Sequence, residues 1–390
     1  MRNRKNFLKG SIPIILALNL SMAAFLSTAP QTAASSQNAS FGIEKLASIA
    51  LANQICSLQV IDDIVYIGDH VYGLKIYNAS NPTTPTLLGQ TYDSGIYHDL
   101  WVEGTRAYLA DLEDGLVIFD ISNRSSPTRV GNYDVGEQNA AEVQAVGDLA
   151  YLAEFHDGLE IFETSDPATP TKIGEYKDYG SSYCVQVVGE IAYLTAGMAG
   201  LLILNVSDPT QPSLMGDYFD GGCVRYFYVE GQMAYVTCSD GGFSIIDVSD
   251  PTNPELAGEY ADVSFVISVF KSGTLAFVGG WDEGLAIFDV SDPSDPQLLE
   301  KYTADGGVAS IFVKDNLAYV ATSSGALSIL KIEQSGSPGS SEANSSPNSS
   351  EAGFSETSNT EFSQGLSVLI LFSGFVSLRI IKYRKTKKAA

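Results

Sequence analysis

The chain has 390 residues, with 46 acidic and 22 basic side chains and a formal net charge of −24 at pH 7. This charge argues against a nucleic-acid partner, because phosphates would be repelled. Four cysteines in so long a chain exclude a fold built on disulfides. The length would allow two or three ordinary domains, so the organisation has to be derived from the sequence pattern.

The N-terminus has the pattern of a secretory signal. Arg2, Arg4 and Lys5 precede an apolar stretch, residues 12–26, and small residues follow it. A positive start, an apolar centre and small residues near a cleavage site are typical of export signals. We therefore predict a signal peptide over residues 1–34, with an uncleaved N-terminal anchor as the alternative.

A phrase of the form Gly-Leu-x-Ile-x-Asp-Val-Ser-Asp-Pro-x-x-Pro recurs every 42 or 43 residues. A fixed period of this length indicates a repeat architecture. One repeat domain therefore occupies residues 43–332. The first position of the phrase falls at Gly73, Gly115, Gly158, Gly200, Gly242 and Gly284, with Ala326 in the seventh place.

Each repeat contains four short β-rich segments. In the unit that starts at Asp99, they include residues 100–102, 107–110 and 116–120, and the last segment ends at Tyr133. Glycine, asparagine, aspartate and proline separate them, and no helical periodicity is present. Four strands in such a unit predict one blade of a β-propeller.

The two ends of the repeat array complement each other. The last copy stops at Ile332 after three segments, and residues 43–50 lie one period upstream of the first outer segment, residues 85–92. Pairing the N-terminal segment with the last copy would hide the sheet edges of an open array. We therefore predict an all-β fold, a seven-bladed β-propeller closed by an N-terminal strand.

The phrase Gly-Leu-x-Ile-x-Asp-Val, as at residues 115–121 and 284–290, resembles the LVIVD-repeat family of cell-surface β-propeller proteins. Six copies share most of the phrase, whereas the seventh ends in Leu330-Lys331-Ile332. The resemblance implies a secreted or anchored propeller, often in prokaryotic surface proteins. It implies no common activity and supplies no catalytic residues.

The composition changes twice after the repeats. Residues 333–361 are rich in serine and asparagine and too polar to bury a core, which predicts a disordered linker. It contains the glycosylation sequons at Asn344 and Asn348. Residues 362–381 are apolar and precede a basic tail, residues 382–390, as in a transmembrane anchor with a cytoplasmic flank. A processed anchor is the alternative.

One face of the propeller is predicted to be acidic. We name it the loop face; it carries the loop before each inner strand and the hairpin between the second and third strands. Lys177 is almost the only cation predicted there. A net charge of −24 places carboxylates on exposed loops in any case, including Asp166 and Asp208 on the opposite face. The acids of the loop face are Asp69, Asp93, Asp111, Glu113, Asp114, Asp134, Glu137, Glu154, Asp157, Asp178, Asp220, Asp240, Asp262, Asp282, Glu283 and Asp305, and its aromatic residues are Tyr97, Phe155, Tyr176, Tyr179, Phe219 and Trp281.

The inner strands should line the central channel, and two adjacent positions in them vary among the repeats. One position is occupied by Ser57, Asp99, Glu142, Cys184, Tyr226, Ser268 and Ser310, and the preceding one by Cys56, His98, Ala141, Tyr183, Arg225, Ile267 and Ala309. Arg225 would hold a ligand carboxylate or neutralise Asp99 and Glu142. The predicted ligand pocket at the channel mouth consists of His98, Asp99, Glu142, Tyr183, Arg225 and Tyr226.

These observations predict a cell-surface binding or adhesion module that acts through its acidic loop face, with no catalytic activity and no cofactor. Its partner would be an extracellular protein or glycan. Calcium is a weaker alternative, because carboxylates suit it but no D-x-D-x-D-G spacing is present. Two other functions stay open: an extracellular hydrolase or lyase with Asp99 and Glu142 as a carboxylate pair, and a structural envelope component.

Two of the cysteines are predicted to form a disulfide. If the hairpin turns at Glu230 and Gly231, Cys223 and Cys238 lie opposite each other. A cross-strand disulfide there would suit an exported protein, although its geometry is demanding. The other two cysteines, Cys56 and Cys184, are expected to stay free because their blades are far apart.

Overall fold

The computed structural model describes residues 41–334 except 52, 94, 137–138, 178–179, 220–223, 239–241, 264–265 and 282–283. The predicted signal peptide, membrane anchor and basic tail lie outside this part of the chain, as do Asn344 and Asn348. Among the described residues, no helix has the length and apolar character needed to cross a membrane.

All regular structure in the described residues is β-strand, and the strands form seven antiparallel sheets of four strands each. In chain order the strands are β1 (Phe41–Ala50), β2 (Ile55–Ile61), β3 (Ile64–Asp69), β4 (Gly73–Asn78), β5 (Thr86–Gln90), β6 (Tyr97–Glu103), β7 (Arg106–Asp111), β8 (Gly115–Asp120), β9 (Thr128–Tyr133), β10 (Ala140–Val146), β11 (Leu149–Glu154), β12 (Gly158–Glu163), β13 (Thr171–Tyr176), β14 (Val185–Val188), β15 (Ile191–Thr195), β16 (Leu201–Asn205), β17 (Ser213–Tyr218), β18 (Val224–Glu230), β19 (Met233–Cys238), β20 (Phe243–Asp247), β21 (Glu255–Tyr260), β22 (Val266–Ser272), β23 (Leu275–Gly280), β24 (Gly284–Asp289), β25 (Gln297–Tyr302), β26 (Val308–Lys314), β27 (Leu317–Thr322) and β28 (Ala326–Gln334).

The sheets are the blades of a propeller, and the N-terminal strand completes the last of them. Blades 1 to 6 are β2–β5, β6–β9, β10–β13, β14–β17, β18–β21 and β22–β25, and blade 7 is β26–β28 with β1 outermost. In blade 7, Phe41 lies opposite Gln334 and Ala50 opposite Ala326. The prediction of an all-β, seven-bladed propeller closed by an N-terminal strand is therefore confirmed.

The recurrent glycine at the start of the third strand is required by the backbone. Gly115 has a φ of 74°, and a Cβ there would lie 2.3 Å from the Tyr133 carbonyl oxygen. Gly200 has a φ of 88° and the same conflict with Tyr218 at 2.1 Å. In blade 7 the residue with a positive φ is Gly325, one position earlier. Ala326 therefore needs no positive φ and can occupy the glycine position of the repeat.

The Asp-Pro turn of one blade lies against the outer-strand glycine of the preceding blade. Asp208 accepts a hydrogen bond from the backbone N–H of Thr210 at 3.0 Å, which fixes the turn. A Cβ on Gly174 of the preceding blade would lie 2.0 Å from the carbonyl oxygen of Pro209. These turns therefore pack directly against the outer strand of the preceding blade, so Asp208 and Gly174 have roles within the fold.

Candidate ligand-binding site at the channel mouth

The inner strands of six blades contain a β-bulge near their first residue. In blade 2, Tyr97 pairs with Asp111 and Asp99 pairs with Ala110, so His98 is the extra residue. A bulge removes a residue from the ladder and re-aims its side chain, and bulges are common beside functional sites. In blade 4, the strand begins at Val185, so Tyr183 precedes the ladder. The extra residues are Cys56, His98, Ala141, Arg225, Ile267 and Ala309.

Five side chains from blades 1 to 5 form a continuous series at the channel mouth, and we name them the mouth arc: His70, His98, Phe155, Tyr183 and Arg225. The ring centroids of His70 and His98 are 5.9 Å apart, and those of His98 and Phe155 are 5.5 Å apart. Phe155 and Tyr183 follow at 5.6 Å, and the Arg225 guanidinium lies 5.3 Å from the Tyr183 ring centroid. The arc therefore brings three of the predicted site residues together: His98, Tyr183 and Arg225.

The arc includes two residues that were not in the predicted pocket, His70 and Phe155. Both follow the second strand of their blade, where backbone hydrogen bonds tie the hairpin to the loop before the inner strand: His70 N–H donates to Gln54 and Phe155 N–H to Asn139. The sequence did contain a signal, because this position also varies among the repeats. It is occupied by His70, Leu112, Phe155, Gly197, Ser239, Trp281 and Ser323.

His98 is the most buried member of the arc. Its side chain is 7% exposed, and its Nδ1 has no hydrogen-bond partner. Burial lowers the pKa of His98 to about 3, with a further contribution from His70. His98 is therefore a neutral imidazole at physiological pH. His70 Nδ1 lies 3.0 Å from the Tyr97 carbonyl oxygen, so this nitrogen carries the hydrogen.

Asp99 and Glu142 lie beneath the arc and join neighbouring inner strands. They are 1% and 3% exposed. Asp99 Oδ2 accepts the N–H of Val143 at 3.0 Å, and Glu142 Oε2 accepts the N–H of Val185 at 2.9 Å. Burial raises the pKa of Asp99 to about 6. Burial and the charge of Asp99 raise the pKa of Glu142 well above its usual range.

Arg225 does not neutralise these two carboxyl groups, so that interpretation was wrong. Among the described residues, Arg225 makes no ion pair and no hydrogen bond with Asp99 or Glu142; it stacks on Tyr183 instead. Its Nε is buried without a hydrogen-bond partner. Tyr226 is also placed differently from the prediction. It is fully buried, and it packs in the hydrophobic core rather than at the channel mouth.

The loop face contains more cations than the sequence suggested, and Lys177 is not almost the only one. Lys75 forms a buried ion pair with Asp69. Arg129 lies 2.9 Å from Asp93 and 2.8 Å from Asp114. These cations were missed because they are located in strands β4 and β9 and reach the face through their long side chains.

Other acids of the loop face stabilise its hairpins. Asp69 Oδ1 accepts the backbone N–H groups of Val71 and Tyr72, both at 3.0 Å. Asp111 Oδ1 accepts the N–H of Glu113 at 2.8 Å and that of Ile96 at 3.2 Å. Much of the negative charge on the loop face is therefore used within the fold.

The described residues contain no group of three or more histidine, cysteine, aspartate or glutamate side chains arranged to hold a metal ion. Six of the loop-face acids lie outside the described part of the chain, so the calcium alternative stays a prediction. They are Glu137, Asp178, Asp220, Asp240, Asp282 and Glu283.

The hairpin used to predict the disulfide has a different register. Glu230 pairs with Met233, so the turn residues are Gly231 and Gln232, and Cys238 lies opposite Val224. The turn lies one residue later than predicted, and the bulge at Arg225 changes the pairing again between Tyr226 and Val224. The partner of Cys238 in the predicted disulfide, Cys223, lies outside the described residues, so the disulfide itself stays a prediction. Cys56 and Cys184 are free and buried.

The fold and the site define a closed seven-bladed propeller whose repeats build a scaffold and whose variable positions meet at one end of the channel. The chain belongs to the LVIVD-repeat family. The family model, described as LVIVD repeat, matches residues 54–93, 94–135, 138–178, 179–220, 221–262, 266–304 and 305–347.

The chain is also similar to a solved structure of a protein made by design. The crystal structure of the computationally designed Ika8 protein superposes with a TM-score of 0.56 at 13% sequence identity, over 71% of this chain and 83% of that chain. At this identity the likeness concerns the fold alone. No curated protein matches the chain.

Proposed function

We propose that this protein is a binding or adhesion module, displayed on the cell surface by a single C-terminal membrane span with the propeller outside the cell. Its ligand, an extracellular protein or glycan, would be held at the loop face. The observation that carries the proposal is the mouth arc, in which five consecutive blades contribute rings and one guanidinium to a continuous surface. Aromatic and arginine side chains at the centre of a surface are those that contribute most to binding.

The repeat pattern supports the same function. The recurrent glycines, prolines and aspartates have roles within the fold, whereas the mouth arc occupies positions where the seven copies differ. A scaffold that presents variable side chains on a rigid frame is suited to recognition. The acidic loop face then forms the rim of the site, and its role in binding is secondary to that of the arc.

The geometry favours binding over catalysis. A glycosidase needs one carboxyl group as an acid and another as a nucleophile or base, both in contact with the substrate. Asp99 and Glu142 are buried, and each is hydrogen-bonded to the backbone of the next blade. We therefore propose that the protein is not an enzyme and has no cofactor.

The proposal can be tested on cells that display the full chain. Adhesion to surfaces coated with extracellular proteins or glycans would be compared with that of cells displaying the Tyr183→Ala/Arg225→Ala double variant at equal surface density. We expect adhesion to decrease about tenfold or more, because central arginine and aromatic side chains each contribute about 2 kcal/mol. Asp208→Asn, an exposed substitution on the opposite face of the propeller, is the matched control. Equal adhesion by both variants and the parent would refute the proposal.

A further inference from the structure

Arg225 differs from other described cations of the loop face because no carboxylate of the described residues forms an ion pair with it. Among the described residues it has no carboxylate partner, although the chain contains 46 acidic side chains. It is half-buried, and an unpaired charge in such a place costs free energy. The ion pairs of the other cations are Lys45 with Asp305, Lys75 with Asp69, Arg129 with Asp93 and Asp114, and Lys177 with Glu175.

Tyr183 orients this free guanidinium. The Arg225 Cζ lies 5.3 Å from the Tyr183 ring centroid, within the range of a cation–π contact. A guanidinium that rests on a ring keeps the donors at its edge available. These donors match the two oxygens of a carboxylate in a bidentate pair.

The neighbouring arc residues are suited to a ring that carries hydroxyl groups. Phe155 is half-buried and lies against Tyr183, so it offers an apolar surface next to the guanidinium. His98 and His70 follow it. The neutral imidazole of His98 has one donor and one acceptor nitrogen for hydroxyl groups, whereas His70 Nδ1 is bonded to the Tyr97 carbonyl and leaves only Nε2 for a ligand. His98 Nδ1 is buried and has no partner within the protein.

The opposite side of the mouth limits the charge of the ligand. The equivalent bulge positions there are Ile267, Ala309 and Cys56, which are apolar or small. Arg225 is thus the one cation among the bulge residues. A single carboxylate matches this one guanidinium in charge and in bidentate geometry, whereas a sulfated polymer would bring several negative charges to a site with one described cation.

We propose that the mouth arc binds a hexuronic acid unit of an extracellular glycan, with the carboxylate on Arg225, the apolar face of the sugar on Phe155 and hydroxyl groups on the histidines. This inference rests on the proposed binding function and specifies its ligand. An acidic peptide would share only the carboxylate, and the structure favours the sugar because four of the five arc residues are rings.

The test is equilibrium binding to the full chain in detergent, followed by ligand-observed NMR. The probes are methyl glucuronide, the neutral methyl glucoside and N-acetylglutamate amide, which separate the carboxylate from the sugar ring. We expect the glucuronide to bind about tenfold or more tightly than either of the others, since a charge-assisted hydrogen-bond pair contributes about 1.5–3 kcal/mol. Equal affinity for glucoside would overturn the role of the carboxylate, and equal affinity for the acetylglutamate would indicate a peptide ligand instead.

Variants locate the binding on the arc. Arg225→Gln should weaken glucuronide binding about tenfold or more and leave the glucoside affinity unchanged. Lys177→Gln removes a cation of the same face that is already paired with Glu175, so it should bind as the parent does. The melting temperature of Arg225→Gln should change little, because Arg225 has no ion pair among the described residues and only its contact with Tyr183 is lost. Unchanged glucuronide binding by a folded Arg225→Gln variant would overturn the assignment.

The outcome is separable from that of the adhesion experiment. If the double variant loses adhesion but the glucuronide does not bind, the module binds another ligand and only the uronate assignment fails. If the glucuronide binds and Arg225→Gln abolishes it while adhesion is unchanged, the site is correct and the adhesion role fails.

Discussion

The junctions between neighbouring inner strands are built in two different ways around the ring. Blades 1, 3 and 4 each present a glutamine to the backbone of the next blade. Gln186 donates to the Val229 carbonyl at 2.7 Å and accepts the N–H of the same residue at 2.6 Å. Gln59 makes the same pair of hydrogen bonds with Val102, and Gln144 with Val187.

Blades 5 to 7 place aromatic rings at the equivalent position. The ring centroids of Tyr228 and Phe270 are 5.0 Å apart, and those of Phe270 and Phe312 are also 5.0 Å apart. These rings are buried, and no hydrogen bond joins their side chains to the neighbouring backbone within the part of the chain that the structure describes.

The difference shows that neighbouring inner strands with the same backbone geometry can be joined either by side-chain hydrogen bonds or by packed rings. The polar junctions of blades 1, 3 and 4 flank blade 2, which has Trp101 at the equivalent position and carries His98 and Asp99. The aromatic junctions of blades 5 to 7 include the blades with the apolar or small bulge residues Ile267 and Ala309. Polar side chains near the channel mouth are thus held by a frame that fixes their direction, because buried polar groups need their partners.

The largest effect is expected at an aromatic junction. Phe270→Ala removes a ring that packs against both Tyr228 and Phe312, so it should lower the free energy of unfolding by about 3–5 kcal/mol. Urea unfolding of the purified full chain would measure it. Phe270→Leu is the control and should cost less, since most of the apolar volume is kept. A loss below about 1 kcal/mol for the alanine variant would mean that this junction does not hold the ring closed.

The next effect is expected at a polar junction. Gln186→Leu is close in size, but it leaves the N–H and the carbonyl of Val229 without partners. Each buried orphan group costs about 1–3 kcal/mol, so we expect a total loss of about 2–4 kcal/mol in the same urea experiment. Gln211→Leu, at an exposed position, should change stability by less than about 0.5 kcal/mol. Equal effects at both glutamines would show that the backbone hydrogen bonds contribute nothing.

Asp99 should make the free energy of unfolding depend on pH. Its pKa in the folded protein is about 6, above the usual value of about 3.9, so the folded state binds the proton more tightly. The stabilisation from that proton is complete below about pH 4 and is lost as the pH rises to about 6. Asp99→Asn cannot ionise, and its side-chain oxygen can still accept the Val143 N–H. The stability of this variant relative to the parent should therefore increase by about 2–3 kcal/mol between pH 4 and pH 7.

Urea unfolding at several pH values would measure this increase. The control is Asp208→Asn, because Asp208 is exposed and its hydrogen bonds to Thr210 lower its pKa. No relative gain with rising pH should appear for this control. A flat difference for Asp99→Asn would show that Asp99 ionises in the folded protein as easily as in water.

The smallest effect is expected from metal removal. Described carboxylates of the loop face already have partners within the protein. Asp69 and Asp111 accept hydrogen bonds from hairpin N–H groups, and Asp93 forms an ion pair with Arg129. We therefore expect the melting temperature to be the same with EDTA and with millimolar calcium. A rise in melting temperature with calcium would indicate a native-state site, since a ligand that binds only the folded protein stabilises it.

The architecture could be predicted from the sequence because the residues that the backbone of a blade requires recur in the repeats. Gly115 and Gly200 recur because the backbone there has a positive φ, and the Asp-Pro turns recur because they pack on the outer-strand glycines. The missing strand of the last copy and the segment at residues 43–50 were enough to predict the closure. Each of these features is repeated or local, so the pattern alone could reveal it.

The candidate site could be predicted only in part. Comparing the repeats identified the variable positions at His98, Tyr183 and Arg225, which the structure brings together. It did not show that Tyr226, one residue further along, is buried in the core, because a β-bulge is defined by the partner strand. The bulge also changed the hairpin register on which the disulfide prediction depended.

The sequence by itself determined the seven blades, their closure by the N-terminal strand and the positions at which function can vary. Only the tertiary structure decided which of those side chains meet. His70 and Phe155 join the arc from hairpins of different blades, and Asp99 and Glu142 accept hydrogen bonds from the backbone of the next blade. The physical reason is that turns and strand patterns are local, whereas the direction of a side chain at the channel mouth depends on the neighbouring blade.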